Sequence, residues 1–263
     1  MKKIREPAVA GTFYPADPDQ LKLLLTHYLN DAKIDTKVPK AIIAPHAGYI
    51  YSGPIAASVY ARLQQANQLI NRVLLIGPSH RVGFDGLAVC TAEQFTTPLG
   101  VINIDTDAVS QMAELPFVNY LDQAHTQEHS LEVHLPFLQT VLNKFSLIPV
   151  VAGNASADQV CQLIEQFWEK PETLIVISSD LSHFYDYETA QQMDRATSDI
   201  IEHLLYEKLD SDFACGHVPV NGLLALARKK GLKIKTIDLR NSGDTAGKDN
   251  KNRVVGYGSY VIE

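Results

Sequence analysis

The chain has 263 residues, enough for one large α/β domain or two small ones. Hydrophobic residues make up 46% of it, and a net charge of −7 without a long basic block argues against nucleic acid as the main partner. No apolar run approaches the ~20 residues that span a bilayer, and no apolar segment follows the basic N-terminus as in a signal peptide. Because three widely spaced cysteines do not form a disulfide framework, we expect a reduced, cytoplasmic protein.

Apolar strands alternate with amphipathic helices along the chain. Asp17 is a suitable N-cap and Pro18 a suitable first residue for the first helix, and Pro54 is expected to begin the second. A segment rich in His and Glu, residues 125–142, is expected to form a helix that Pro136 kinks or restarts. Predicted strands cover residues 41–44, 73–76, 86–91, 101–104, 147–151, 174–177, 233–239 and 253–262, and further helices cover residues 106–112, 157–169, 187–206 and 219–230. This order predicts one α/β domain over residues 1–263, with three layers: a central, mostly parallel or mixed sheet and helices on both faces.

Three of the apolar strands are followed by a histidine just past their end, namely His46, His80 and His183. Gly77-Pro78 is expected to stop the second of these strands, so that His80 stands at its carboxyl end, where open α/β sheets bind ligands. Imidazole is a common ligand for iron, copper and zinc. A single histidine of this kind is more often a turn residue bonded to backbone, but three on one rim of a sheet indicate a site.

Cys215 is a second candidate for chemistry. It precedes a predicted helix N-terminus, where the helix dipole favours the thiolate, and His217 follows closely. Three interpretations stay open for it: a metal ligand, a nucleophile with His183 as its base, or a buried small hydrophobe. Asp180 lies three residues before His183, and its carboxylate could fix the imidazole tautomer and make the ring a better base or ligand.

A third group comprises Glu128, His129, Glu132 and His134. Its spacing is not the His-Glu-x-x-His of zinc peptidases, so we expect these side chains to line the pocket behind the ligands. For Glu128 and Glu132 a solvated helix face fits equally well. The sequence after Ser79 lacks the second glycine of a nucleophile elbow. Ser79 is therefore expected to be a pocket-lining hydroxyl and not a hydrolase nucleophile.

Five motifs in order along the chain resemble the Memo family. They are Ala44-Pro45-His46-Ala47-Gly48-Tyr49, Gly77-Pro78-Ser79-His80, the segment from Glu128 to Pro136, Ser178-Ser179-Asp180-Leu181-Ser182-His183 and Cys215-Gly216-His217, and the late Ser242-Gly243-Asp244-Thr245 and Val254-Val255-Gly256-Tyr257 also fit. The resemblance implies a fold similar to that of the LigB-type, class III extradiol dioxygenases. For microbial members it also implies association with an AMMECR-type protein and a radical SAM protein.

The resemblance further implies roles for individual residues. LigB-type dioxygenases hold non-haem Fe(II) with two histidines and one carboxylate, and a further histidine acts as acid and base. By position, His46 and His80 look like the two ligands, His183 looks like the acid/base residue, and Cys215 stands in place of the carboxylate. A thiolate is softer than a carboxylate, which moves the expected metal preference toward copper or zinc as well as iron, and of these we expect iron or copper ahead of zinc. The departure also weakens the case for ring cleavage itself. Asp180 would assist in proton transfer or orientation.

Two functions follow from these expectations. The first is a metal-dependent, dioxygenase-like oxidoreductase that acts on a small molecule or a peptide. The second is a non-catalytic module that binds a peptide or protein in a vestigial dioxygenase pocket, because a fold does not dictate a function. Neither interpretation requires a nucleic-acid or membrane partner.

Overall fold

A computed structural model describes residues 2–33, 37–246 and 251–262. Within these ranges the strands are β1 (Ile4–Arg5), β2 (Ala41–Ala44), β3 (Arg72–Pro78), β4 (Leu87–Val89), β5 (Gln94–Thr97), β6 (Gly100–Ile104), β7 (Val118–Tyr120), β8 (Ser146–Ala152), β9 (Thr173–Ser178), β10 (His183–Tyr185), β11 (Ile234–Asn241) and β12 (Val254–Ile262). The α-helices are α1 (Pro18–Asp31), α2 (Tyr49–Tyr60), α3 (Thr106–Met112), α4 (Asp122–Thr126), α5 (His129–Glu132), α6 (Leu135–Val141), α7 (Ala157–Trp168), α8 (Tyr187–Glu202) and α9 (His217–Lys230).

One mixed sheet forms the centre of the fold. Its main path runs β1-β5-β6-β8-β3-β9-β2-β12-β10, with β11 paired to β12 and β4 paired to β7 and β8. The four central strands β8, β3, β9 and β2 are parallel, whereas β12 joins β2 antiparallel. Every residue of β2 and β9 is buried, and because successive side chains of a strand point to opposite faces, both faces of the sheet are covered. The predicted α/β architecture is therefore confirmed.

Several helix ends follow the sequence signals directly. The Asp17 side chain accepts the N–H groups of Asp19 and Gln20 at the start of α1, and Asp105 caps α3 in the same way. Gly231 ends α9 with φ of 66°, a left-handed conformation that glycine adopts without strain. No helix in the described part of the chain is long and apolar enough to cross a membrane.

The predicted start of the second helix at Pro54 is wrong. The helix α2 begins at Tyr49, whose N–H donates to the carbonyl of Phe13 at 2.8 Å, and Pro54 lies inside it. Pro54 lacks the N–H that would donate to the carbonyl of Ile50, so the helix loses one hydrogen bond. Ile50 lies on the exposed side of α2. The loop before the helix is therefore shorter than expected, and His46 is held close to the helix start.

Gly77-Pro78 does not stop β3, which continues through both residues. Pro78 lies opposite Ala152 of β8, and the N–H of Ser79 donates to the carbonyl of Ala152 at 3.0 Å. Because successive N–H groups point to opposite sides, the nitrogen of Pro78 faces β9, with which β3 pairs only as far as Ile76. The missing donor therefore costs no ladder hydrogen bond.

The helices predicted over residues 125–142 and 187–206 also differ from the structure. The first is divided into α4, α5 and α6, because Glu128 leaves the helical path and accepts the N–H of Ser130 as an N-cap. Pro136 lies in the first turn of α6, so the alternative of a restart is the correct one. Helix α8 ends at Glu202, since Leu204 adopts a left-handed φ of 57°.

Candidate metal centre

The parallel central strands bring three sequence-predicted residues to one edge of the sheet. Ala44 of β2 lies beside Ser178 of β9, and Ile76 of β3 lies beside Ile177 of β9. His46, His80 and Asp180 each come two residues after the end of β2, β3 and β9 respectively. This edge is where ligands bind in open α/β sheets.

His46 is buried, and its hydrogen bonds fix which nitrogen faces the site. Its Nδ1 lies 2.6 Å from Oγ of Ser178, whose own hydroxyl proton is donated to the carbonyl of Ser130 at 2.7 Å. Ser178 is thus an acceptor, so Nδ1 of His46 carries the proton and Nε2 is free to bind. Burial, reinforced by the neighbouring His80 and His129, holds the pKa of His46 well below its usual range. The ring is neutral, the form that ligates metals.

His80 is oriented by a buried carboxylate. Oε1 of Glu128 lies 2.8 Å from Nδ1 of His80, and Oε2 accepts the backbone N–H of the same residue at 2.6 Å. Burial alone would raise the pKa of Glu128, but the hydrogen bonds from His80 and Ser130 bring it to about 2. The carboxylate is therefore charged and holds the proton of His80 on Nδ1, which presents Nε2 as the ligand atom.

Cys215 reaches this point from a distant part of the chain, just before α9. Its Sγ lies 3.3 Å from Nε2 of His46 and accepts the backbone N–H of Asp180 at 3.3 Å. Burial, followed by the charge of Asp180, raises the pKa of the thiol. A Cβ on Gly216 would meet the carbonyl oxygen of Ser178 at 2.4 Å, so only glycine lets the two backbones approach this closely.

The ligand atoms of His46, His80 and Cys215 all lie within 4.8 Å of one another. Two atoms bound to one ion at about 2.0–2.3 Å are at most about 4.6 Å apart, so these three residues form a group that could hold a metal ion with little movement. His80, Glu128 and His129 form a second such group. There the rings of His80 and His129 are stacked at 4.6 Å with an interplanar angle of 25°, an arrangement in which one ion does not lie in the plane of both rings. The first group is the better candidate.

Asp180 and His183 lie next to this group. Oδ1 of Asp180 accepts the backbone N–H of His46 at 2.7 Å, and burial raises the pKa of Asp180 to about 6, against the effect of that hydrogen bond. Nδ1 of His183 lies 2.7 Å from the carbonyl of Leu181, so Nδ1 is the donor and Nε2 is left to act as an acceptor.

The predicted pocket residues fall into two sets. Ser79 and His217 line a cavity of about 520 Å³ together with Cys215, and His129 packs its ring against both His80 and His46. Glu132 and His134 are almost completely buried and do not line this cavity. Neither residue therefore contributes to the wall of this cavity.

Glu132 and His134 have other partners. The Glu132 carboxylate pairs with Arg5 and accepts the hydroxyl of Tyr14 at 2.6 Å. Nδ1 of His134 lies 2.8 Å from the hydroxyl of Tyr60. Sequence reasoning missed Arg5, because nothing in a two-residue strand near the N-terminus distinguishes it from a solvated arginine.

The fold and the site define a class: an α/β protein with a candidate His-His-Cys metal centre at the carboxyl ends of its parallel strands. The chain matches the family model described as "Memo-like protein" over residues 5–261. A MEMO1 family protein of Aquifex aeolicus is 35% identical over 269 residues, covering 97% of each chain. One of Methanosarcina acetivorans is 33% identical over 279 residues, covering 99% of this chain and 100% of that relative. The chain belongs to the Memo family.

The solved structures include a similar chain, an uncharacterized protein of Escherichia coli K12. It matches 86% of this chain and 100% of its own length, with 10% sequence identity and a TM-score of 0.48.

Proposed function

We propose that this Memo family protein binds one redox-active metal ion, iron or copper, through His46, His80 and Cys215. The observation that carries the proposal is the convergence of Nε2 of His46, a ring nitrogen of His80 and Sγ of Cys215 from three separate segments. The donor atoms that meet there, two imidazole nitrogens and one thiol sulfur, are of the kinds that iron and copper bind.

The surroundings of the three residues fit a metal ion. Each imidazole has its second nitrogen fixed, by Ser178 for His46 and by Glu128 for His80, which is how proteins orient metal-binding histidines. The thiol of Cys215 has a raised pKa, so a cation would be required to keep it as a thiolate. Two imidazoles and one thiolate form a borderline-soft set, which favours copper and iron over harder cations.

The remaining residues of the site supply proton handling and access. A bound iron or copper ion would supply Lewis-acid and one-electron chemistry at this point. His183 would accept or release a proton at Nε2, with Asp180 beside it as a carboxyl group that titrates near pH 6. The cavity next to Cys215, about 520 Å³, would admit a small molecule or the end of a peptide.

Metal analysis of purified protein tests this proposal. We expect close to one equivalent of iron or copper in the wild type and a loss of about tenfold or more in Cys215→Ala and His80→Ala. Cys161→Ala and His27→Ala are matched controls, since neither residue belongs to the candidate group, and both should retain wild-type content. If neither Cys215→Ala nor His80→Ala lowered the bound metal, the ligand assignment would be wrong.

The redox part of the proposal has its own test. Fe(II) is added to the metal-free protein under argon, and the absorption spectrum is followed after oxygen is admitted. An oxygen-dependent change that Cys215→Ala abolishes supports a redox centre. No oxygen-dependent change in a protein that does bind Fe(II) would contradict it.

A second candidate function is peptide or protein binding at the same edge. It is favoured by two aromatic side chains beside His183, since Phe184 is 59% exposed and Tyr185 is 39% exposed. The AMMECR-type and radical SAM proteins that the family resemblance implies would be the partners of this surface. Co-purification of each with the wild type, but not with Phe184→Ser, is the expected result, and equal recovery with both chains would contradict it.

A further inference from the structure

A buried carboxylate, Asp194, lies behind the loop that carries Asp180 and His183. It is in the middle of α8, and only 2% of its surface is exposed. Its Oδ1 accepts the backbone N–H of Ser182 at 3.0 Å. Within the described ranges no basic side chain forms an ion pair with it. An acid buried without a counter-charge destabilises a fold, so its presence calls for a reason other than stability.

Gly256 of β12 lies on the other side of this carboxylate. A Cβ on Gly256 would lie 2.0 Å from Oδ2 of Asp194 and 2.3 Å from Oδ1. Gly256 also exchanges two backbone hydrogen bonds with the loop, donating to the carbonyl of Ser182 at 2.8 Å and accepting the N–H of Leu181 at 2.9 Å. Asp194 and Gly256 therefore both hold Ser182, and Gly256 holds Leu181 as well. The absence of a side chain at position 256 makes room for the carboxylate.

The residues directly after this attachment form a β-bulge. His183 lies opposite Val255 and Tyr185 lies opposite Val254, which leaves Phe184 as the extra residue of β10. Phe184 has φ of 67°, a left-handed conformation that a bulky residue seldom adopts. A backbone of this kind persists only where its surroundings over-determine it, and bulges near sites change the direction of a neighbouring side chain.

We propose that Asp194 is a positioning residue for His183. By holding Ser182 against Gly256 it fixes the bulge at Phe184, and the bulge sets the direction in which His183 presents its Nε2. This inference rests on the proposed function in one respect: it takes the candidate metal centre as the group that His183 faces. Burial raises the pKa of Asp194 to about 6, so the fold keeps this acid although its charged form is disfavoured there.

Two variants test the contact between Asp194 and the Ser182 N–H, one at Asp194 and one at Gly256. Asp194→Ala removes the acceptor of the Ser182 N–H, and Gly256→Ala pushes the carboxylate away from it. Asp194→Asn keeps an acceptor oxygen and should rescue the contact. Ser198→Ala is a matched control, because Ser198 is buried on the same helix and its hydroxyl contacts Tyr260 and the backbone carbonyl of Asp194, not the loop.

The readout is the ring nitrogen resonances of His183 in the full-length, chelator-treated chain labelled with ¹⁵N-histidine, assigned with His183→Gln. We expect the wild type to show the pattern of a ring protonated at Nδ1. Asp194→Ala and Gly256→Ala should show tautomer-averaged resonances, whereas Asp194→Asn and Ser198→Ala should keep the wild-type pattern.

A merely structural role would lower the melting temperature without moving these resonances. Wild-type resonances in both Asp194→Ala and Gly256→Ala, or averaged resonances in Asp194→Asn, would overturn the proposal. The resonances are recorded without metal, so they do not depend on metal binding. A wild-type protein that binds no metal would therefore refute the proposed function and leave this inference standing.

Discussion

The ion pair between Arg5 and Glu132 joins the N-terminal segment to the helices beside the candidate centre. The Arg5 side chain is 7% exposed and that of Glu132 is fully buried. The guanidinium also donates to the carbonyls of His125 at 3.2 Å and Glu128 at 2.7 Å. The carboxylate also accepts the hydroxyl of Tyr14 and the N–H groups of residues 8 and 9. Every group of this network is thus satisfied only while both charges are present.

Replacing Arg5 with methionine should lower the free energy of unfolding by about 3–5 kcal/mol, the range for removal of one partner from a buried pair. The change leaves the Glu132 carboxylate without its cationic partner and two carbonyls without a donor. Urea denaturation at pH 7, followed by circular dichroism, measures the loss. In a double-mutant cycle with Glu132→Gln, the two losses should be clearly less than additive, because the residues form one network.

Lys3→Met is the matched control for this measurement. Lys3 pairs with Asp122, but the two side chains are 57% and 37% exposed, so the expected loss is below about 1 kcal/mol. If Arg5→Met were no more destabilising than Lys3→Met, burial would not be what makes the Arg5–Glu132 pair strong, and the reasoning would fail.

Three further predictions concern the candidate centre and its support. Glu128→Gln should weaken Fe(II) binding in a spectroscopic titration by about 10–100-fold, because His80 loses the carboxylate that orients it; an effect no larger than that of the exposed Glu114→Gln would contradict this. The pKa of Asp194 is about 6 in the fold against an ordinary 3.8, so the folded state binds more protons in this interval and stability falls as pH rises through it. Between pH 4 and 7 the wild type should therefore lose up to about 3 kcal/mol of unfolding free energy relative to Asp194→Asn, which has no titrating carboxyl group at this position. Parallel curves of unfolding free energy against pH, measured by urea denaturation, would refute the assignment. Gly216→Ala should displace Cys215 and weaken the thiolate-to-Co(II) absorption band, since its Cβ would lie 2.4 Å from the Ser178 carbonyl oxygen, whereas a Cβ on Gly83 meets nothing within 4 Å and Gly83→Ala should leave the band intact.

The strand ends were the most predictable part of the site. Runs such as residues 73–76 are apolar without alternation, which indicates strands covered on both faces, and parallel strands necessarily end at one edge. This reasoning places His46 and His80 together, as the structure does. Cys215 was identified from its helix-start position and from the resemblance to the family, but its 3.3 Å approach to His46 depends on Gly216, whose tight packing no local pattern reveals.

The errors have two physical causes, a proline that the local fold tolerates and a partner that is distant in sequence. Pro54 inside α2 and Pro78 inside β3 are tolerated because the N–H that each lacks has no essential acceptor in the fold. The sequence suggests a pocket or surface position for Glu132, because its partner Arg5 lies far from it in the chain. Asp194 lies on a buried stripe of α8 with Ala190, Ser198 and Ile201. Only Ile201 among these is strongly apolar, so the sequence pattern does not mark Asp194 as a buried acid.

The metal–ligand assignment is tested most directly by X-ray absorption at the K-edge of the iron or copper bound to the full-length protein. One sulfur scatterer at about 2.3 Å and nitrogen scatterers at about 2.0–2.1 Å are expected around the metal. The sulfur shell should vanish in Cys215→Ala and remain in Cys161→Ala. A wild-type spectrum that contains only nitrogen and oxygen shells would contradict a centre built from His46, His80 and Cys215.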